Sequence, residues 1–422
     1  MNMATAVPEA IEVPRATCRF CAAALSKTLV DLGMSPLCQT HIEPHQLNHM
    51  ERFYPLHVWV CSKCFLVQLE KYVAPEDIFS DYAYFSSFSD SWVEHARSYA
   101  ELMISRFELG RDSKVMEIAS NDGYLLQHFK QAGVPCLGIE PAANVAKAAI
   151  EKGIPTTVRF FGEDTARAIA REHGQPDLLL GNNVLAHVPD INDFVKGMKS
   201  LLKNGGVITM EFPHLQRLIE ENQFDTIYHE HFSYLSFGTV RRIFRHHGLE
   251  LFDVEELPTH GGSLRIYARH AADASHPIAP RVEELIERER SLGYEELGMY
   301  ARFGEQVKET KRALLDFLID AKRAGKKIVG YGAPGKGNTL LNYCGIRQDF
   351  LDFTVDRSPH KYGRYTPGTH IPILHPDALR QAKSDFVLIL PWNLKDEIVA
   401  KHGYIREWGG RFVVPIPRVK VL

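Results

Sequence analysis

The chain has 422 residues, which at roughly 150 residues per domain points to about three domains. Hydrophobic residues make up 45% and charged residues 24%, and the longest apolar run, 386–390, falls far short of the ~18 residues of a membrane span. That argues against a disordered, fibrous or membrane chain. The net charge of -3 and a pI near 6.7 carry no basic excess, so nucleic acid is not an expected partner.

Residues 1–15 lack a basic start and an apolar core, so no signal peptide is visible and a cytoplasmic location is expected. There are seven cysteines (Cys18, Cys21, Cys38, Cys61, Cys64, Cys136 and Cys344), an odd number, with five in the first 64 residues. Metal or thiol chemistry in a reducing compartment fits this better than disulfides. Cys18-x-x-Cys21 and Cys61-x-x-Cys64 form two knuckles, and four thiolates are the tetrahedral set that structural Zn2+ takes. A closed site leaves no open position, so the zinc is expected to have no chemical part. Cys38 is then a spare thiol, and His41, His45, His49 and His57 are not needed as ligands.

Residues 82–92 are aromatic and rich in hydroxyls, and Tyr82, Tyr84, Ser86 and Ser87 suit a polar ligand site. A helix is predicted over 92–107. Strands are predicted over 115–119, 135–140, 154–158, 177–181 and 206–211, with helical segments between them. Such alternation implies a parallel sheet with helices on both faces, an α/β fold. Ligands of these sheets sit at the carboxyl ends of the strands. There lie Glu117, the turn Ser120-Asn121-Asp122-Gly123, then Glu140 and Pro141, then Asn182 and Asn183. The turn has a single glycine and is acidic, which disfavours a pyrophosphate. An adenosyl group without phosphates, such as S-adenosylmethionine, suits it, with Glu140 accepting the ribose hydroxyls.

After the fifth strand comes Tyr228-His229-Glu230-His231-Phe232-Ser233-Tyr234. His-x-His can ligate a metal, and a Glu-His pair can serve as orienter and general base. His187 follows the fourth strand on the same rim. Two further apolar runs, 249–254 and 264–269, follow without a helical pattern between them. A connecting helix is predicted over 306–324. Then Gly330-x-Gly332-x-x-Gly335 with Lys336 opens a helix, and the next strand, 351–355, ends in Asp356. The glycines permit amides to approach a pyrophosphate, that of a dinucleotide or of a nucleotide sugar.

The joint order of these pieces, with His260-Gly-Gly-Ser-Leu-Arg265, resembles the S-adenosylmethionine-dependent sugar C-methyltransferases, over nearly the whole chain. These act on nucleoside-diphosphate 4-keto-6-deoxyhexoses in bacterial deoxysugar pathways. The resemblance implies a class I (Rossmann-like) methyltransferase sheet at 73–285. It also implies a zinc-binding domain at 1–72 and a second Rossmann-like domain at 286–422 that helps hold the sugar nucleotide. It places Tyr82, His187, Tyr228, Glu230 and His231 around the reaction; His231 is the expected base, with Tyr228 as its assistant or its alternative. Tyr228, His260, Arg265, Tyr331, Gly332, Lys336, Asn338, Thr339, Asn342 and Asp356 are expected on the substrate, with C3 of a dTDP-linked sugar as the expected methylation position and C5 as the alternative. The expected protein is a monomer or small homo-oligomer with no membrane partner. Competing readings are weaker. An NAD-dependent sugar-nucleotide oxidoreductase or epimerase leaves the first sheet without a task. A zinc-ribbon RNA methyltransferase lacks a basic stripe. A zinc scaffold does not explain residues 228–234.

Overall fold

A computed structural model of the chain describes residues 16–79 and 85–422. Tyr82 and Tyr84 lie outside the described residues. Three sheets follow one another along the chain.

The first sheet starts with β1 (Lys27–Ser35), β2 (Tyr54–Val60) and β3 (Val67–Leu69), all antiparallel. Alternating burial along β2 marks a sheet with one covered face. The central sheet contains β4 (Val115–Ile118), β5 (Cys136–Ile139), β6 (Thr156–Thr157), β7 (Leu178–Asn182) and β8 (Val207–Pro213). These five run parallel, and every residue of β4 and β7 is buried, as strands covered by helices on both faces require. The predicted third strand thus shrinks to two residues at the sheet edge. Next come β9 (Ser233–Tyr234), β10 (Leu249–Leu257) and β11 (Ser263–His270). β11 inserts antiparallel between β8 and β10, giving the order β10-β11-β8-β7-β4-β5-β6. β9 leaves the central sheet and pairs with β3, so the first sheet reads β1-β2-β3-β9.

Helix α1 (Asp90–Arg106) buries Ala96, Tyr99, Ala100 and Met103, one stripe at helical spacing, against the central sheet. Helix α2 (Phe303–Arg323) leads to the third sheet of β12 (Ile328–Tyr331), β13 (Thr354–Val355), β14 (Ile373–Leu374), β15 (Phe386–Ile389), β16 (Arg411–Val414) and β17 (Lys420–Val421). Its order is β14-β13-β12-β15-β16-β17 with only β17 antiparallel. Helix α3 (Gly335–Cys344) follows β12 and stops at Gly345, whose φ of 73° is the left-handed cap that glycine adopts without strain.

The packing links the three sheets. One hydrophobic core runs from Leu29, Val58 and Leu69 of the first sheet through Phe303 and Leu314 of α2 to Ile328 and Phe412 of the third. A second core joins Cys18, Cys61 and Leu66 to Met116, Leu179 and Phe212 of the central sheet. The N-terminal unit therefore bridges the other two. No helix among the described residues is long and apolar enough to cross a membrane.

Candidate active site

The two cysteine knuckles are built alike. Ala22 N–H donates to the Cys18 carbonyl (2.9 Å) and Phe65 N–H to the Cys61 carbonyl (3.0 Å). Ala22 and Phe65 both have φ of 59°, the left-handed turn that folds each knuckle back on itself. The four sulfurs lie within 4.8 Å of one another. Gln68 Nε2 donates to Cys18 Sγ (3.2 Å) and Lys63 N–H to Cys61 Sγ (3.4 Å), bonds that suit thiolates. Cys18, Cys21, Cys61 and Cys64 thus fit a closed tetrahedral zinc. No other group of three or more metal-ligating side chains gathers among the described residues. The His229-x-His231 pair does not chelate: His229 Nε2 turns to the Pro55 carbonyl (3.2 Å), away from His231.

The carboxyl edge of β4, β5 and β7 is a cradle of buried polar atoms. Both carboxylate oxygens of Glu117, Ser120 Oγ, Asp122 Oδ1, both amide atoms of Asn182 and Asn183 Oδ1 have no partner among the described residues. Buried polar groups are rarely left so, and the cluster marks a ligand's place. Glu140 accepts Asn121 N–H (2.8 Å) on one oxygen and Ala142 N–H (2.9 Å) on the other, and each oxygen keeps a lone pair for a ribose hydroxyl. Burial, with Glu140 and Asp122 nearby, pushes the Glu117 carboxyl well above the usual range. A bound cation would relieve that cost, and S-adenosylmethionine carries an ammonium and a sulfonium. Ala119, Asn121 and Asn183 all have φ between 50° and 56°, strain of the kind that gathers at ligand sites. Gly123, at φ 75°, closes the turn. Ser86 N–H donates to Asn121 Oδ1 (2.9 Å), and Ser87 bonds the Asp122 carboxylate, which also pairs with Lys152 (3.0 Å). Pro141 follows Glu140 as part of the same bend. Replacing Glu140 with Ala is expected to weaken S-adenosylmethionine binding at least tenfold by calorimetry, since two ribose bonds to a charged acceptor are lost.

Above this edge stands the imidazole cluster. His231 Nδ1 lies 2.7 Å from the Thr226 carbonyl, so Nδ1 carries the proton and Nε2 is left as a base. The Tyr228 ring lies 4.0 Å from the His231 ring, and the His187 ring 4.7 Å away at 75°. His187 Nδ1 has no partner among the described residues. His260 Nε2 faces Asn183 Nδ2 at 3.5 Å and its ring meets Trp92 edge-on at 4.9 Å. Protein surrounds these side chains, yet His187, Tyr228 and His260 keep accessible surface, as residues lining a deep cleft do. Burial lowers the imidazole pKa of His187 and His260 to about 4 and that of His231 well below its ordinary value. All three stay neutral at pH 7. Glu230 accepts the Cys38 thiol (3.3 Å), so the supposed spare thiol reaches the cleft from the N-terminal unit.

Protonating such imidazoles opposes folding. Between the folded pKa of His187 and the unfolded value near 6.5, the unfolded chain binds more protons, so stability falls as pH falls. Asp225, pushed up to about 6 by burial, works in the opposite sense over part of that range. Glu117 and Glu140, also raised by burial, act in the same sense as Asp225. With nine imidazoles lowered against three carboxyls raised, urea unfolding should still show a net loss on the order of 1 kcal/mol or more from pH 7 to pH 5.

Several residues expected on the substrate use their polar atoms inside the fold. Arg265 bonds Glu211 (3.2 Å) and Glu255 (3.1 Å) within the central sheet. Tyr331 bonds His402 (2.9 Å), Thr339 the Ile227 carbonyl (2.9 Å), and Asn342 the carbonyls of Asn338 (2.9 Å) and Pro367 (3.1 Å). Asp356 accepts Ala333 N–H (2.7 Å) in the turn that contains Gly332. Asn338 Nδ2 is buried without a partner among the described residues, and Lys336 is close enough to His231 and His260 to disfavour their protonation. Sequence reasoning missed Asp225, Trp392 and Asn393. Trp392 Nε1–H donates to Asp225 (2.7 Å), and Lys336 Nζ sits 2.9 Å from Asn393 Oδ1 and 4.6 Å from the Trp392 ring.

A mostly parallel seven-stranded sheet with an antiparallel insertion, an acidic ribose position after its second strand and a strained polar cradle define an S-adenosylmethionine-dependent methyltransferase of class I. Family models agree along the chain: a zinc binding domain over residues 18–79, a methyltransferase domain over 92–254 and a C-methyltransferase C-terminal domain over 258–417. C-methyltransferase NovU of Streptomyces niveus is 36% identical over 405 residues, 96% of each chain. The chain belongs to this C-methyltransferase family. Ubiquinone biosynthesis O-methyltransferase of Bartonella tribocorum is 27% identical over 96 residues, 22% of this chain and 39% of that one. Among solved structures, the PH0226 protein of Pyrococcus horikoshii covers 46% of this chain and 97% of its own, at 15% identity and a TM-score of 0.36. The C-terminal match begins at 258, so it takes in β11, which packs in the central sheet.

Proposed function

We propose that the protein methylates the carbon next to the ketone of a nucleoside-diphosphate 4-keto-6-deoxy sugar, C3 of a dTDP-linked sugar, in deoxysugar biosynthesis in the cytoplasm. The observation that carries this is His231, a neutral imidazole above the cofactor edge with Nδ1 fixed on Thr226 and Nε2 in no hydrogen bond to a described residue. Forming a carbon–carbon bond to a methyl group needs a carbon nucleophile. A ketone supplies one cheaply, because loss of the neighbouring proton gives an enolate.

In this reading His231 Nε2 takes the α-proton and the electron pair moves to the carbonyl oxygen. Burial lowers the basicity of His231, but the imidazolium forms beside the enolate charge, which restores the balance. Tyr228 is held well above the usual phenol range by burial and by Glu230, so it keeps its proton and donates. His187 and His260 orient the sugar, and Glu230 positions the Tyr228–His231 segment. Bound S-adenosylmethionine supplies the electrophilic methyl group. Glu117, Ser120, Asn121, Asp122, Glu140, Asn182 and Asn183 are the residues that would hold it in line with the nucleophile. Three units, 1–72, 73–285 and 286–422, share the work, with zinc structural.

The test uses a panel of dTDP-4-keto-6-deoxy sugars, NMR of the methylated product, and proton exchange in D2O without methyl donor. Exchange and methylation at C3 are expected. Methylation at C5 would correct the position, and a product methylated on oxygen would overturn the reading.

A further inference from the structure

The glycine-rich turn after β12 has the pattern of a phosphate cradle, yet its glycines are packed against protein. In such a turn the second glycine leaves room for a pyrophosphate. Here a Cβ on Gly332 would stand 2.5 Å from Pro391 Cδ and 2.9 Å from Cγ, so the Pro391 ring fills that room. A Cβ on Gly335 would meet Cys38 Sγ at 3.0 Å, and one on Gly337 would meet Leu390 Cβ at 2.9 Å. The Ala333 amide is already taken by Asp356. The turn is a joint between the N-terminal unit, β15 and α3.

The same joint sets Lys336 beside the segment that carries Tyr228 and His231. Thr339, one turn further along α3, is bonded to the Ile227 carbonyl beside Tyr228. Trp392 is bonded to Asp225, one residue before the Thr226 carbonyl that holds His231. Lys336 Nζ rests on Trp392 and Asn393, with Asp225 as its counter-charge. Asn393 takes one of its three hydrogens, and the other two have no hydrogen-bond partner among the described residues. The ammonium acts electrostatically on both His231 and His260. Around it the three imidazoles are neutral; burial lowers the Lys336 pKa, and the Asp225 carboxylate opposes that shift and favours the ammonium. A diphosphate has cations elsewhere. A cavity of about 660 Å3 beyond Trp392 is lined by Arg217, Lys395, Arg418 and Lys420, and the last two make no ion pair among the described residues.

We propose that the glycine-rich turn is a mount for Lys336 and that the Lys336 ammonium, donating into the cleft, stabilises the oxygen of the enolate formed when His231 removes the α-proton. This rests on the C-methylation reading above. The proton goes to His231 Nε2, the C–H pair becomes the C=C bond, and the carbonyl pair comes to rest on the oxygen facing Lys336. In the second step that pair returns as carbon bonds to the sulfonium methyl. The methyl–sulfur pair stays on sulfur and leaves a neutral thioether.

The experiment compares wild type, Lys336→Met and Lys336→Arg, with S-adenosylmethionine affinity as the check on folding. Readouts are steady-state kcat and KM and α-proton exchange in D2O with a dTDP-4-keto-6-deoxy sugar. Lys336→Met should lose about 100-fold in kcat and in exchange, with KM within about threefold, the size of a lost oxyanion donor. Lys336→Arg should restore exchange to within about tenfold of wild type. A raised KM with unchanged kcat would make Lys336 a phosphate anchor and overturn the proposal, as would unchanged exchange in Lys336→Met. If Lys336→Met does not bind the cofactor, the Arg variant decides: a folded Lys336→Arg that has lost 100-fold in exchange overturns it. Wild-type protein that exchanges no α-proton from any sugar in the panel would instead sink the C-methylation reading itself.

Discussion

His231→Asn is expected to lower kcat by about 10^3-fold or more and to abolish α-proton exchange, with S-adenosylmethionine affinity unchanged. The side-chain amide of asparagine can place a donor near the Nδ1 position and keep the bond to the Thr226 carbonyl. What it removes is the basic nitrogen at Nε2. The neighbours cannot replace it. Tyr228 holds its proton far too tightly, because burial and the Glu230 carboxylate both disfavour a phenolate. His187 lies 4.7 Å from His231 ring to ring, with its own burial keeping it a weak base. Tyr228→Phe should therefore cost less than His231→Asn and leave some exchange. The reverse order of severity, or exchange at the wild-type rate in His231→Asn, would move the base from His231 to Tyr228. The cofactor cradle lies at the carboxyl edge of β4, β5 and β7, whereas the bonds and ring contacts of His231 go to Thr226, His187, Tyr228 and Tyr234, which is why binding is the internal control.

Much of this site was legible because its parts are local in sequence. Glu117 to Gly123 is one turn, Glu140 ends one strand, and 228–234 is one segment, so periodicity and spacing reveal them. The cysteine knuckles are legible for the same reason, since each pair needs only a four-residue loop. What stayed hidden depends on contacts between distant segments. Cys38 meets Glu230 across 192 positions, and Trp392 meets Asp225 across 167. No local pattern marks either pair. The glycine-rich turn shows the opposite problem. Its spacing is that of a nucleotide cradle, but whether the opened space takes a phosphate or a proline ring is decided by Pro391, just beyond β15 and 59 residues after Gly332. Arg265 is similar: its type suits an anionic substrate, yet the buried Glu211 on the adjacent strand claims it.

Removing zinc, by chelation or by Cys61→Ser, is expected to abolish activity although the metal takes no part in the chemistry. The reason is the path from the knuckles to the catalytic segment. Cys61 and Cys64 lie in the turn between β2 and β3, and β3 pairs with β9, the end of residues 228–234. Leu69 N–H donates to the Phe232 carbonyl at 3.0 Å, and Arg19, between Cys18 and Cys21, bonds the Leu69 and Pro189 carbonyls and lies over the Phe232 ring. Four ligands lost together release both knuckles, then β3, then the segment bearing Tyr228 and His231. Structural zinc contributes roughly 10–16 kcal/mol in small peptides, as much as the whole stability of a typical domain. Even a third of that, about 3–5 kcal/mol, would lower Tm by about 4–6 °C in a cooperative unit of this size, and by more if the N-terminal unit melts first. The measurements are zinc content, Tm and kcat on the same samples, with S-adenosylmethionine affinity measured alongside. Activity should fall at least 100-fold, cofactor affinity should fall less, and added Zn2+ should restore the chelated protein but not Cys61→Ser. Zinc-free protein with full activity would show that the catalytic segment holds its place on the central sheet and α3 alone. In that case the β3–β9 pairing would be a consequence of the site and not its support.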